Sequence, residues 1–96
     1  MPAQTSSERV RAVTHVSGRV QAVGFRWWTM YQARTLDVSG SAVNLADGRV
    51  EVQAEGARPA VEALLAKISE GPPSARVDDV QTRWEEPTGR SGFRVG

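Results

Sequence analysis

Nine residues, Gly18-Arg19-Val20-Gln21-Ala22-Val23-Gly24-Phe25-Arg26, limit what this chain can become. Before them, Val10 to Val16 alternates like a strand. After them, Phe25 to Leu36 repeats like a helix. A strand must therefore become a helix through a loop with a glycine at its start and another near its end. Such a junction suits an anion. The first amides of a helix lack intrahelical partners, and the helix dipole places partial positive charge there. Glycine lets successive N–H groups converge on one point. Arg26 would add a permanent charge and a planar fork of donors that matches two phosphate oxygens. Two uses stay open at this stage. The loop can cradle a phosphoryl group, or it can be an ordinary strand–helix turn with a solvated arginine. No Lys-Ser/Thr pair follows Gly24 and the glycine spacing does not fit a dinucleotide fingerprint, so neither standard nucleotide loop applies.

The other elements follow in order. Arg9 to Ser17 reads as a first strand, with Val10, Ala12, Thr14 and Val16 on one face and Arg9, Arg11, Val13 and His15 on the other. On the first helix, Phe25, Trp28, Thr29, Gln32, Ala33 and Leu36 share the inward side, while Trp27, Met30, Tyr31 and Arg34 point away. Ser39 to Leu45 is a second strand. Asp47-Gly48 marks a hairpin turn, because both residues tolerate positive φ. In the third strand Val50, Val52 and Ala54 face in, and Arg49, Glu51, Gln53 and Glu55 face out. Pro59 opens a second helix with Val61, Leu64, Leu65 and Ile68 in one stripe, and Gly71-Pro72-Pro73 stops it. Val77 to Glu85 is a fourth strand, and Phe93-Arg94-Val95 a short last one. The order βαββαβ plus a terminal strand predicts an α+β, ferredoxin-like sandwich: an antiparallel sheet with two helices on one face. Residues 1–7 read as a flexible tail and residues 8–96 as a single domain.

Asn44 is the second residue of note. Strand parity puts it on the face with Gly40 and Ala42, which the helices should cover. A buried amide without partners costs on the order of 1–3 kcal/mol, so an asparagine there needs a reason. It lies near the strand end, where backbone, water or a ligand can serve it. A role in bonding backbone and a role in chemistry both remain open. His15 reads as a sheet-face histidine, and Asp47 belongs to the turn. Trp27 and Tyr31, one turn apart on the outer helix face, suit a partner surface, an acyl-group contact or plain exposure.

Composition narrows the function classes. The chain has no cysteine and one histidine, which excludes disulfides, a thiolate nucleophile and a His-rich metal cluster. A net charge of +1 gives no broad basic footprint for nucleic acid, so anion binding must be local. No apolar run approaches the roughly 20 residues a bilayer span needs, and the amino end lacks the pattern of a signal peptide. The expectation is a cytoplasmic monomer with no nucleic-acid partner and no membrane partner.

The two blocks together resemble the acylphosphatase family. Gly18 to Arg26 is similar to that family's G-x-V-Q-G-V-x-F-R loop. Gly40 to Asn44 with Asp47-Gly48-Arg49-Val50-Glu51 is similar to its G-x-V-x-N…D-G-x-V-E block. The resemblance covers roughly residues 9–95 and includes the spacing between the blocks, Gly71-Pro72-Pro73 and Phe93. It implies the ferredoxin-like fold and hydrolysis of a carboxyl-phosphate anhydride, an acyl phosphate, with no metal and no cofactor. By position it makes Arg26 a phosphate binder and Asn44 the holder of the attacking water, the two catalytic residues; the backbone amides of Val20, Gln21, Ala22, Val23 and Gly24 are then expected to hold the phosphoryl oxygens beside Arg26. Ala22 stands where the family usually has glycine; if its φ is positive, alanine costs about 1 kcal/mol or more. Ser41-Ala42-Val43 likewise differs from the usual segment with a large residue followed by valine. A non-catalytic phosphate-binding module, an RNA-binding module and an interaction domain are the competing classes. The outward face of the third strand, Arg49, Glu51, Gln53 and Glu55, lacks the paired aromatics an RNA-binding sheet uses.

Overall fold

A computed structural model describes residues 8–96; the tail expected over residues 1–7 lies outside them. The elements run β1 (Arg9–Arg19), α1 (Phe25–Thr35), β2 (Ser39–Asn44), β3 (Val50–Ala57), α2 (Arg58–Glu70), β4 (Arg76–Glu85) and β5 (Phe93–Val95). They form a five-stranded sheet in the order β4-β1-β3-β2-β5. The four long strands pair antiparallel, as the βαββαβ order predicts. The departure is β5, which pairs parallel with β2 and makes the sheet mixed. Both helices pack on one face, α1 over β2 and β5, α2 over β3, β1 and β4. No helix among the described residues is long and apolar enough to cross a membrane.

Alternation along the strands decides the core. Val10, Ala12, Val16, Val50, Val52 and Ala54 point to the helices and are buried against Phe25, Ala33, Val61, Leu64 and Ile68. Trp28 lies beside Phe25 with ring centroids 5.7 Å apart. One outward assignment needs correction: Met30, expected on the outer side of α1, is buried. It sits at the edge of the apolar stripe, and its unbranched thioether reaches the core from there. Trp27 and Tyr31 are exposed, as the helical period predicts.

The outer sheet face holds a second departure. Glu55 was expected in solvent with Glu51 and Gln53, yet it is 1% exposed. The cause is the link from β4 to β5, which must cross from one sheet edge to the other. Four strand spacings amount to roughly 19 Å, close to the ~24 Å that seven residues can span. A crossing segment without a partner strand needs acceptors for its amides, and the left-handed Gly89 (φ +81°) lets consecutive ones turn toward one side chain. Glu55 supplies them, taking hydrogen bonds from the amides of Thr88 (2.9 Å), Gly89 (2.6 Å) and Arg90 (3.2 Å) and from the Thr88 hydroxyl (2.9 Å). Burial pushes the Glu55 carboxyl up, but the donors from Thr88, Gly89 and Arg90 outweigh it and hold the group below its usual range. A depressed folded value means that Glu55 stabilises the fold above the ordinary carboxylate range, and that this contribution fades as pH falls through the folded value. Chemical denaturation from pH 7 to pH 3 should therefore show stability falling on acidification, with a shallower acid limb in Glu55→Gln.

Candidate active site

The site begins at the end of β1. The β1–β4 register shifts between Ser17 and Gly18. A Cβ on Gly18 would stand 2.1 Å from the Arg76 carbonyl oxygen, and its φ of +128° is one that L side chains rarely adopt. Glycine there lets β1 press against β4 while the strand bends. The loop then passes through two left-handed residues, Ala22 (φ +61°) and Gly24 (φ +81°). Such residues allow consecutive N–H groups to turn toward a common point. Val20 is buried and anchors the loop, while Ala22 and Gly24 are exposed.

Ala22 thus carries the strain anticipated from its sequence position. The left-handed region costs a non-glycine residue roughly 1–2 kcal/mol, against which glycine loses about 0.5–1 kcal/mol of extra chain entropy on folding. Ala22→Gly should raise stability by roughly 0.5–1 kcal/mol, read from urea midpoints at unchanged slope. An unchanged or lower midpoint would mean that the loop does not hold residue 22 in this conformation.

The amino end of α1 is left open. Gly24 is the residue before the first turn; it offers no side-chain cap, and the first turn contains no acidic residue. The first backbone bond of the helix runs from the Trp28 amide to the Gly24 carbonyl at 3.0 Å. The amides ahead of it find no acceptor in the described residues. Arg26 puts a cation beside the positive end of the dipole, which is unfavourable for a bare helix and favourable once an anion sits there. The residue is half-buried, and its exposed guanidinium donates to the Gly96 main-chain oxygen. That contact seats Arg26 beside β5, because the Gly96 amide in turn donates to Ala42 of β2 at 3.0 Å.

Asn44 reaches the same place from the other side. In the sheet register Val16 of β1 faces Val50 of β3, and Val50 faces Asn44 of β2. The three form one row and point to the helix face. Two strand spacings, roughly 10 Å, separate Asn44 from the strand that feeds the loop. Val16 and Val50 are fully buried, but Asn44 is exposed. Parity placed it on the correct face, yet it lies beyond the cover of the helices. Its amide is therefore open to solvent or ligand, and the burial penalty anticipated for it does not arise.

The loop is tied down on two sides. The Gln21 side-chain amide donates to the carbonyls of Leu45 (2.9 Å) and Arg49 (3.0 Å) across the β2–β3 turn. The Ser74 hydroxyl donates to the Val23 carbonyl at 2.9 Å. Neither tie was foreseen from the sequence, where Gln21 figured only for its backbone amide. The turn itself forms as Asp47-Gly48 predicts. Leu45 donates to the Arg49 carbonyl at 2.8 Å, and Asp47 accepts from the Arg49 amide at 3.1 Å and from its guanidinium at 2.8 Å.

The other candidates lie elsewhere. His15 is on the outer face. The Arg49 guanidinium, which only donates, sits 3.0 Å from His15 Nδ1, so Nδ1 accepts and Nε2 carries the proton toward Glu51 at 2.9 Å. A concavity of about 570 Å³ lined by Arg58, Trp84 and Glu85 lies at the opposite end of β1. There the Arg58 guanidinium stacks 5.2 Å from the Trp84 ring. It shares no residue with the loop.

The family model and the curated relatives point to one family. The acylphosphatase family model matches residues 12–95. An acylphosphatase from Thermococcus kodakarensis is 51% identical over 88 residues, covering 92% of this chain and 97% of the relative. One from Corynebacterium glutamicum is 51% identical over 90 residues, covering 90% and 96%. The crystal structure of an acylphosphatase from Bacillus subtilis superimposes with a TM-score of 0.87 at 31% identity, covering 91% of this chain and 98% of that one.

Proposed function

The chain belongs to the acylphosphatase family, a family of hydrolases, and from that premise we propose that the open amino end of α1 holds the phosphoryl group of an acyl phosphate for attack by water. One observation carries this reading. A run of free amides and Arg26 gather at a helix end whose first turn holds no acidic residue, on the sheet face and at the sheet end where Asn44 is exposed. In this reading the amides of Val20, Gln21, Ala22, Val23 and Gly24 and the Arg26 guanidinium bind the phosphoryl oxygens. Asn44 orients the water.

The chemistry asks little more of the protein. The water oxygen forms a bond to phosphorus as the bond from phosphorus to the acyl oxygen breaks. The electron pair leaves with the carboxylate, a weak base that needs no proton. A water proton passes to a phosphoryl oxygen of the substrate, so no protein general base is required. Phosphoryl transfer of this kind rests on positioning and charge stabilisation. Orientation supplies up to roughly 7–11 kcal/mol, and each well-aimed donor about 3–4 kcal/mol. Fixed donors and a permanent guanidinium charge can meet that need without a metal.

Benzoyl phosphate hydrolysis in EDTA tests the assignment. Asn44→Ala should lower kcat by roughly a hundredfold or more. Inhibition by inorganic phosphate should stay within about twofold, because that interaction does not involve the water. Turnover like the parent's in Asn44→Ala would remove the asparagine from the mechanism, and metal-dependent turnover would remove the metal-free route.

A further inference from the structure

The side chain of Gln21 does something that its place in the cradle does not require. Its amide nitrogen spends both protons on one turn, at 2.9 Å to Leu45 and 3.0 Å to Arg49. Those two carbonyls are the ones that close the turn. Leu45 accepts from the Gly48 amide at 3.2 Å, and Arg49 accepts from the Leu45 amide at 2.8 Å. Each carbonyl oxygen has two lone pairs, so Gln21 fills the second position on both. Leu45 directly follows Asn44, and the turn begins where β2 ends. We infer that Gln21 is a positioning residue, a fixed strut that sets the distance between the phosphate cradle and the water-holding Asn44.

This inference rests on the roles proposed above for the cradle and Asn44. The physical case is independent of them in one respect. Asn44 is exposed at a strand end, and no helix covers it to fix its place relative to the loop. Residues 18–26 and the β2–β3 turn follow different strands, β1 and β2, and β3 lies between those strands in the sheet. Two hydrogen bonds to carbonyls on either side of the turn resist rotation as well as translation, which one bond would not. Misplacement of about 1 Å between reacting groups can cost roughly a hundredfold in rate. The Ser74–Val23 bond holds the far side of the loop against the α2–β4 connection but does not touch the β2–β3 turn.

A double-mutant cycle on benzoyl phosphate hydrolysis separates positioning from general support. Gln21→Met keeps the side-chain length and removes both donors; Gln21→Leu, also uncharged and without donors, replaces it where the methionine variant does not fold. With Asn44 present, kcat should fall roughly ten- to hundredfold. Competitive inhibition by inorganic phosphate should shift by no more than about twofold, because the backbone amides remain. In the Asn44→Ala background the same Gln21 change should alter kcat by less than about twofold, since there is no longer a water-holding group to misplace. An equal fall in both backgrounds, or weakened phosphate inhibition matching the loss of kcat, would overturn the inference and make Gln21 a support of the cradle alone. An Asn44→Ala enzyme as active as the parent would overturn the Asn44 assignment first, and the strut with it.

Discussion

Arg26→Ala should abolish benzoyl phosphate hydrolysis to within about a thousandth of the parent rate and remove inhibition by inorganic phosphate at the same time. The size follows from what the residue supplies. It is the one charged side chain in the first turn of α1, at a helix end with no cap and no acid. A thousandfold is about 4 kcal/mol of transition-state stabilisation, what a charged two-pronged donor gives in a preorganised site. Arg26→Lys should recover only part of the loss, because an ammonium keeps the charge and gives up the fork. The fold should survive both changes, with stability altered by about 1 kcal/mol or less. Arg26 is half-buried, and among the described residues its side chain donates to the Gly96 main-chain oxygen. Removing a cation from the positive end of α1 also relieves an unfavourable interaction in the free protein. A folded Arg26→Ala protein with full turnover would mean that the cradle is not the site.

Gly40→Ala should have the opposite profile, a loss of fold with no chemical group removed. A Cβ at Gly40 would lie 1.7 Å from the Gln53 carbonyl oxygen and 2.7 Å from its carbon, and φ there is +147°. Those atoms are backbone, so no side chain can swing aside. Relief requires β2 to move off β3 at the Gly40–Ala54 pair, and β5 follows, because Gly40 also pairs with Phe93. Overpacking of this kind together with backbone strain amounts to roughly 3–5 kcal/mol, a large share of the ~5–15 kcal/mol that holds a domain of this size. Thermal unfolding should show a protein that is mostly unfolded or melts tens of degrees lower. A melting point near the parent's would mean that the two strands do not approach as closely as described.

These two residues show what a sequence can and cannot disclose. The order of elements was legible because alternation and helical period are local, and because Gly24, Asp47-Gly48 and Gly71-Pro72 punctuate them. The place of Arg26 in the first turn of α1 was legible for the same reason: a glycine-bounded strand–helix junction announces a helix start. Asn44 was assigned to the correct face by parity, but parity says nothing about where the covering helices stop. Glu55 shows that limit more plainly. Its outward parity was correct, and only the path of the β4–β5 segment across the sheet makes outward mean buried. Gln21 was legible as a backbone donor and not as a tie, because its partners Leu45 and Arg49 are more than twenty residues away. Gly40 stood in a strand like any other glycine; its reason is the approach of a neighbouring backbone that only the assembled sheet creates.

The central claim is that the amides leading into α1, together with Arg26, form the phosphoryl site. Titration of the isotope-labelled protein with inorganic phosphate, followed amide by amide by NMR, tests it most directly. The largest saturable shifts should fall on Val20 to Trp27, with Arg26 Nε among them, and should vanish in Arg26→Ala while the rest of the spectrum keeps its folded dispersion. Shifts centred instead on Arg58 and Trp84 at the far end of β1, or phosphate binding that survives the loss of Arg26, would contradict it.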